Sequence, residues 1–274
     1  MKKTLQGEPF RPVFIGGAGR SGTTLLRTML ASHPAMVGGN EFKLLPQVAE
    51  LWRAFSALPE VMGQYQLSED YLNTHFAQFA EGLFRPYLKQ SGDLRLVEKT
   101  PHNILAADFL TGVFPQAQLI HMVRDGRDVA CSLVNMDWYG PDGKKVWYTA
   151  SIEAAASYWR QVVENGMAAA QHSAGQIKTL RYESLLKRPS EGMAGVLEWL
   201  DEPWHDSVVD RSRRAALVAG EVKESSSQQV TAALNTRTVG RWHRDMTADE
   251  RRAFHRVAGG LLLKLGYIKG DDWL

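Results

Sequence analysis

Cysteine, long apolar runs and an excess of charge of either sign are all scarce in this sequence. The chain of 274 residues contains 1 cysteine, Cys131, which excludes an internal disulfide and is typical of a reducing compartment. No apolar run approaches the roughly 20 residues of a membrane-spanning helix. The net charge of +2 leaves no broad basic surface, so nucleic acid is not expected as a partner. We therefore expect a cytoplasmic protein without a membrane span.

A lysine is also missing from the one segment that otherwise has the pattern of a phosphate-binding loop. Residues 12–27 read as a short apolar strand, a turn rich in glycine and the start of a helix. The N–H groups of such a turn and the positive end of the helix dipole bind anions. The spacing from Gly17 to Gly22 follows the consensus G-x-x-x-x-G-K-[ST]. Thr23 occupies the lysine position, however, and the cation comes earlier, at Arg20. Because a nucleoside triphosphatase needs that lysine, we predict a loop for a single phosphate or sulfate group.

Strand-like and helix-like segments alternate along most of the chain. Apolar strand patterns occur at 13–15, 94–97, 118–123 and 176–181. The alternation predicts an α/β fold with a P-loop-type parallel sheet flanked by helices on both faces. Residues 57–70 are predicted to be turns and residues 221–240 to be irregular. Without an internal repeat or a linker, the expected organisation is one domain over residues 1–274.

Four polar side chains follow the predicted strands: Arg20, Lys99, Arg124 and Tyr182. Because ligands of parallel sheets bind beyond the carboxyl ends of the strands, we expect these four to converge. Arg124 also begins a second candidate anion site, with Ser132 about two turns into a helix that starts near Gly126. The guanidinium can hold one face of a phosphate while the hydroxyl donates to it. Two anion sites at neighbouring strand ends indicate a nucleotide phosphorylated at both ends of its ribose.

These segments resemble the sulfotransferases that use 3′-phosphoadenosine 5′-phosphosulfate (PAPS), in particular the tyrosylprotein sulfotransferases and their bacterial relatives. The similarity runs through nearly the whole chain, and its most specific segments are residues 14–25 and 119–132. Weaker matches include residues 226–230 and 240–242. The resemblance implies the sulfotransferase fold and the transfer of a sulfuryl group from PAPS to an acceptor hydroxyl. With PAPS as the donor, 3′,5′-bisphosphoadenosine is the expected product.

The resemblance also assigns roles to individual residues. The residues implied for the 5′-phosphosulfate are Gly19, Arg20, Ser21, Gly22, Thr23 and Thr24. Those implied for the rest of the nucleotide are Arg124 and Ser132 at the 3′-phosphate, Tyr182 near the adenine, and Ser227 and Arg241 in the late matching segments. Glu41 falls at the position of the general base, and Lys99 at that of a cation near the transferred group.

Elementary chemistry supports these catalytic roles. Sulfuryl transfer spreads negative charge over the sulfuryl oxygens and the leaving phosphate, which Arg20, Lys99 and loop N–H groups can stabilise without a metal. A carboxylate such as Glu41 can accept the proton of the acceptor hydroxyl. Two histidines compete for that role, but His33 is expected to end a helix before a proline. His121 lies in an apolar strand and is expected to be a hydrogen-bonded core residue.

The acceptor is left open by departures from the tyrosylprotein enzymes. Gly19 replaces a proline and Lys43 an arginine, and neither a membrane anchor nor paired cysteines is expected. We therefore expect a hydroxyl on a small molecule, carbohydrate, lipid or peptide, and a homodimer is one expected assembly. One alternative is a small-metabolite kinase with Mg²⁺ on Glu98 or Asp125. The other is a nucleotide-binding protein without catalytic activity.

Overall fold

A five-stranded sheet lies at the centre of the computed structural model, which describes residues 10–140, 142–219, 230–231, 234 and 236–274. The strands are β1 (Val13–Gly17), β2 (Met36–Val37), β3 (Arg95–Lys99), β4 (Gln118–Val123) and β5 (Ile177–Arg181). Their order is β2-β3-β1-β4-β5, and every pairing is parallel. This confirms the predicted parallel α/β sheet. Strand β2 was not predicted, because two residues are too short to show a period.

Helices connect the strands. The α-helices in the described residues are α1 (Thr23–Ala31), α2 (Leu45–Ser56), α3 (Pro59–Gln64), α4 (Glu69–Gln90), α5 (Ala107–Val113), α6 (Gly126–Leu133), α7 (Ile152–His172), α8 (Tyr182–Lys187), α9 (Pro189–Trp199), α10 (Arg211–Ala219), α11 (Trp242–Asp245) and α12 (Ala248–Lys264). Short 3-10 helices span Pro101–Ala106, Trp147–Thr149 and Asp206–Val208.

The prediction of turns over residues 57–70 is wrong, because α3 lies within this segment. Proline is compatible with the first turn of a helix, where its missing N–H has no intrahelical partner, so Pro59 begins α3 rather than breaking it. Most of the predicted irregular segment 221–240 lies outside the described residues. Within the described ranges, no helix is both long enough and apolar enough to cross a membrane.

Alternation along β1 divides the core between the two faces of the sheet. Phe14 belongs to a cluster that includes residues of α5, α6, α7 and α12, whereas Val13 and Ile15 belong to a cluster with α1, α8 and α9. Successive side chains of a strand point to opposite faces, so each face is covered by its own set of helices. Strand β1 is therefore buried on both sides, which fixes the start of the loop that follows it.

Candidate active site

A cleft of about 900 Å³ at the carboxyl ends of the strands brings most of the predicted site residues together. The predicted residues that line it are Gly19, Arg20, Gly22, Thr23, Thr24, Glu41, Arg124 and Tyr182. Lys99 and Ser132 are buried and contact lining residues through their polar atoms. The convergence of side chains from the ends of β1, β3, β4 and β5 follows from the parallel order of the sheet.

The loop between β1 and α1 has the features of an anion cradle. Gly22 precedes α1 with φ +91°, and a Cβ at this position would lie 2.4 Å from Cδ2 of Tyr182. Glycine is therefore required both by the backbone and by the tyrosine ring. Ser21 is buried, and its hydroxyl has no hydrogen-bond partner among the described residues. The first turn of α1 also lacks a side-chain cap, so a bound anion would satisfy polar groups that the fold leaves open.

Arginine side chains concentrate positive charge beside this loop. Nε of Arg20 donates to Oγ of Ser132 at 3.0 Å, and Nη1 of Arg124 donates to the carbonyl oxygen of Arg20 at 2.9 Å. Burial lowers the pKa of the Arg20 guanidinium, and the charges of Arg124 and Arg241 lower it further. Like charges held this close are stabilised when an anion binds between them. The two predicted anion sites thus form one connected cluster.

Tyr182 holds the Arg124 guanidinium from the side of β5. The guanidinium carbon lies 4.6 Å from the centre of the tyrosine ring. Nη2 of Arg124 donates to the carbonyl oxygen of Thr238 at 2.6 Å, and the Tyr182 hydroxyl lies 3.2 Å from Oγ1 of the same threonine. Nε of Arg124 is buried without a partner in the described part of the chain. The described contacts of the Arg124 guanidinium therefore leave its Nε–H donor unused.

Asp128 links this arginine to the segment that carries Arg241. Its carboxylate accepts hydrogen bonds from the backbone N–H of Gly240 at 2.8 Å and of Trp242 at 3.1 Å. One oxygen also lies 3.8 Å from Nη2 of Arg124. Burial raises the pKa of Asp128, and the contacts with Arg124, Gly240 and Trp242 oppose that rise. Arg241 is thereby placed near Arg20, and its Nε pairs with Asp245 at 2.6 Å. The predicted residue Ser227 lies outside the described residues.

Glu41 and Lys99 form an ion pair at the cleft. Nζ of Lys99 lies 2.7 Å from Oε1 of Glu41, and Nζ of Lys43 lies 3.6 Å from the other oxygen. The Lys99 side chain is fully buried, whereas the Glu41 side chain is 23% exposed. The carboxylate therefore faces the cleft, with a fixed positive charge behind it. A carboxylate and a cation are thus paired at the cleft.

Glu98 holds the loop that carries Glu41, a role that the sequence did not reveal. Its Oε1 accepts hydrogen bonds from the N–H of Phe42 at 3.2 Å and from Oγ1 of Thr100 at 2.8 Å. Its other oxygen accepts from the side-chain amide of Asn103. Burial raises the pKa of Glu98, and these hydrogen bonds oppose the rise. The carboxylate therefore connects the loop after Glu41 to the end of β3.

Both carboxylates that the kinase alternative assigns to Mg²⁺ have other partners. Glu98 is buried and hydrogen-bonded as described above. Asp125 accepts from the backbone N–H of Arg127 at the start of α6, and its two oxygens pair with the Arg127 guanidinium at 3.0 and 2.7 Å. These contacts disfavour the kinase alternative.

His102 and Tyr158 line the cleft and were not predicted. The Tyr158 hydroxyl accepts a hydrogen bond from the N–H of Gly19 at 3.0 Å and lies 3.0 Å from Nε2 of His102. The tautomer of His102 decides which of these two groups donates the hydrogen bond that joins them. Burial lowers the pKa of His102 and raises that of Tyr158, so both side chains are neutral at neutral pH. This pair ties the anion loop to α7.

Aromatic rings form another part of the cleft wall. Tyr148 stacks on Tyr158 with ring centres 4.1 Å apart, and Trp138 meets Tyr148 edge-on at 6.5 Å. Trp138, Tyr139 and Tyr148 all line the cleft. A bridge between Tyr139 and Lys145 closes the loop that presents them. The rings therefore offer an apolar surface to whatever enters beside Glu41.

The two histidines that compete with Glu41 do not line the cleft. Nε2 of His33 lies 2.9 Å from the carbonyl oxygen of Pro203, and its Nδ1 accepts from the N–H of Ala35. His121 is fully buried, as predicted. The predicted hydrogen bonding of His121 is wrong, because neither ring nitrogen has a partner within the described residues. Burial lowers its pKa to about 4.

Comparison with known proteins identifies the family of this chain. A model of the sulfotransferase family matches residues 12–206, a span that includes the β1–α1 loop, Glu41, Lys99 and Arg124. The chain belongs to the sulfotransferase family. This member resembles the protein-tyrosine sulfotransferase of Drosophila melanogaster, with 28% identity over 267 residues, 93% of this chain and 51% of the fly protein. It is 26% identical to protein-tyrosine sulfotransferase 1 of Danio rerio over 93% of this chain and 72% of the relative. The chain spans about half the length of the fly relative.

Solved sulfotransferase structures share the fold. The sulfotransferase domain of the Synechococcus PCC 7002 olefin synthase has a TM-score of 0.63 and 22% identity, covering 95% of this chain and 97% of that one. Mouse sulfotransferase SULT7A1, solved in complex with PAP, has a TM-score of 0.54 and 14% identity, covering 92% of this chain and 85% of that one. The predicted sulfotransferase fold is thereby confirmed.

Proposed function

We propose that this protein is a sulfotransferase that moves a sulfuryl group from PAPS to the hydroxyl of an acceptor. The observation that carries the proposal is the connected cluster of Arg20, Arg124 and Ser132 on the same cleft as the Glu41–Lys99 pair. Membership of the sulfotransferase family supports the reaction class. The protein-tyrosine sulfotransferases and the PAP-bound mouse enzyme support the choice of donor by analogy.

The groups beside the β1–α1 loop fit a nucleotide with two anionic ends. The buried Ser21 hydroxyl and Nε of Arg124 both lack partners among the described residues, and both lie on this side of the protein. In our proposal the residues that would hold the 5′-phosphosulfate are Gly19, Arg20, Ser21, Gly22, Thr23 and Thr24. Those that would hold the remainder are Arg124 and Ser132 at the 3′-phosphate, Tyr182 at the adenine, and Arg241 at the phosphates. PAPS supplies a sulfuryl group activated by its bond to a phosphate.

Glu41 is proposed as the base that accepts the proton of the acceptor hydroxyl. It is the carboxylate that the cleft exposes beside Lys99, and general-base catalysis of this kind contributes typically 10²–10⁴-fold. Lys99 orients the carboxylate at 2.7 Å and adds a buried positive charge near the transferred group. Arg20 adds a second positive charge near this group. The acceptor is proposed as a hydroxyl compound, since the cleft beside Glu41 is open and lined by aromatic rings.

Thermal unfolding with nucleotides tests the donor. We expect 3′,5′-bisphosphoadenosine to raise the unfolding temperature more than AMP or ATP, because only the bisphosphate carries both a 3′- and a 5′-phosphate. A ligand present at 100 times its Kd raises the free energy of unfolding by about 2.7 kcal/mol. Arg124→Ala should remove the preference for the 3′-phosphate. Arg188→Ala is the matched control, since Arg188 is exposed and pairs with Glu191 on α9. Equal stabilisation by AMP and the bisphosphate in the unmodified protein would refute the donor assignment.

A transfer assay with radiolabelled PAPS across acceptor classes tests the reaction. Glu41→Gln should lose turnover while it retains nucleotide-dependent stabilisation, because the amide cannot accept a proton but keeps the shape of the side chain. Unchanged turnover in this variant would remove Glu41 from the mechanism. Absence of transfer by the unmodified protein to every acceptor class would favour the non-catalytic alternative.

A further inference from the structure

Exposed hydrophobic side chains are concentrated in one part of the molecule. Of the 15 large hydrophobic side chains exposed in the described part of the chain, 10 lie between residues 44 and 87. We call six of them the apolar strip: Leu44, Leu51 and Phe55 at or on α2, and Phe79, Leu83 and Tyr87 on α4. Their exposures range from 37% for Tyr87 to 56% for Phe79. Helices α2 and α4 pack against each other, and a concentration of exposed apolar side chains on two neighbouring helices indicates a binding surface.

The α2 side of the apolar strip begins at the cleft. Lys43 and Gln47 line the cleft, and Leu44 directly follows Lys43. Leu51 and Phe55 lie four and eight residues after Gln47, so they continue the helix face that Gln47 presents to the cleft. From Leu44 to Phe55 the helix rises by roughly 16 Å.

The α4 side of the apolar strip begins at the same place. The Phe42 and Phe84 rings are 4.6 Å apart near the cleft, and Nε1 of Trp52 donates to Asn73 at the other end of the helix pair. Helices α2 and α4 therefore run antiparallel. Tyr87, Leu83 and Phe79 are spaced by four residues and follow one helix face away from the cleft. The Tyr87 hydroxyl lies 3.5 Å from the position of a Cβ on Gly39, next to the lining residue Asn40.

The charge of this region argues against an anionic membrane as the occupant. Residues 44–90 contain 5 acidic and 3 basic side chains, a net charge of −2. Anionic lipid surfaces attract clusters of basic residues, which the segment lacks. An uncharged apolar ligand suits the strip better, and the continuity with the cleft places one end of that ligand beside Glu41.

We propose that the acceptor carries an unbranched alkyl or acyl chain, which lies along the apolar strip while its hydroxyl reaches Glu41. This inference rests on the proposed function, because it names the substrate class of the same cleft. Burial of the chain against the strip provides affinity that a short alcohol lacks. Trp138 and Tyr148 line the same cleft as Glu41, so in this arrangement they would contact the portion of the acceptor near its hydroxyl.

A series of primary alcohols from butanol to dodecanol tests the inference in the PAPS transfer assay. We expect kcat/KM to rise about twofold for each added methylene, which is half of the transfer free energy of a fully buried methylene, because the strip covers one side of the chain. The double variant Leu51→Gln, Leu83→Gln should flatten this dependence and leave butanol unchanged. Leu263→Gln on α12 is the matched control, since Leu263 and Leu51 are both 54% exposed. Equal values for all chain lengths would overturn the inference and leave the proposed function intact.

Equilibrium binding of a fluorescent dodecanol derivative provides a readout that does not need turnover. Binding to the unmodified protein that the double variant loses would support the apolar strip, even if no sulfuryl transfer occurred and the proposed function failed. Equal binding to both proteins would overturn the inference. Sedimentation velocity tests whether a second copy of the chain binds to the apolar strip instead of a ligand. A dimer that the double variant dissociates, together with no dependence on chain length, would show an interface between copies and overturn the inference.

Discussion

Acidification should destabilise this protein through His121, which is fully buried in β4 with no hydrogen-bond partner for either ring nitrogen among the described residues. Burial lowers its pKa from 6.5 to about 4. The unfolded chain therefore binds a proton at a higher pH than the folded protein does. The titration of His121 therefore lowers the free energy of unfolding as the pH decreases from about 6.5 towards 4, and this contribution is absent above that window.

The size of the effect follows from the pKa difference. One pKa unit corresponds to about 1.4 kcal/mol, so the full shift is worth about 3 kcal/mol below pH 4, and about 2 kcal/mol is reached at pH 5. Other buried groups titrate in the opposite sense, because burial raises the pKa of Glu98, Asp128 and Glu183. The effect of His121 must therefore be isolated by comparison with a variant rather than read from one pH profile.

Urea unfolding of the unmodified protein and of His121→Leu at pH 7.5 and pH 5 provides that comparison. The difference in unfolding free energy between the two proteins should change by about 2 kcal/mol between the two pH values, in favour of the variant at pH 5. His172→Gln is the control, because His172 is an exposed residue at the end of α7. A difference that stays constant with pH would refute the reasoning, since it would mean that His121 titrates alike in both states.

Three further substitutions test the construction of the site. Glu98→Gln should lower kcat about tenfold, which corresponds to about 1.4 kcal/mol in activation free energy, because it disturbs the loop that carries Glu41. The KM for PAPS should change little, and a change confined to KM would contradict this role of Glu98. Gly22→Ala should weaken the binding of 3′,5′-bisphosphoadenosine and lower the free energy of unfolding in urea by more than about 1 kcal/mol. The control Gly82→Ala should raise the free energy of unfolding, because a Cβ at this position inside α4 meets no other atom. Tyr158→Phe should cost about 1–3 kcal/mol by the same measurement, because Gly19 and His102 lose a partner; an unchanged midpoint would argue against that linkage.

The elements with strong local patterns could be predicted from the sequence. The apolar run of β4 and the capping box of Thr247 and Glu250 at the start of α12 are both present. Strand β2 and helix α3 could not be predicted, because the first is two residues long and the second is short and begins with a proline. Local periodicity carries no information at that length.

The site was predicted where its residues follow strands and missed where its contacts span the chain. Arg20 and Arg124 follow strands and Lys99 is the last residue of β3, so the parallel sheet alone predicts that they meet. Glu98, His102 and Tyr158 act through partners as far as 139 residues away, and no spacing in the sequence marks such contacts. The homodimer, the cytoplasmic location and the single domain remain predictions.

The separate anchoring of Glu41 and of the aromatic wall has a consequence for engineering. Glu98 fastens the turn of Glu41 to the end of β3, whereas Trp138 and Tyr139 belong to a different loop that closes on itself through Lys145. Exchanging residues 138–146 for loops of other lengths would leave the Glu41–Lys99 ion pair in place. The fit of the cleft to the part of an acceptor near its hydroxyl can therefore be varied in libraries confined to that one loop, without changing the Glu41–Lys99 pair.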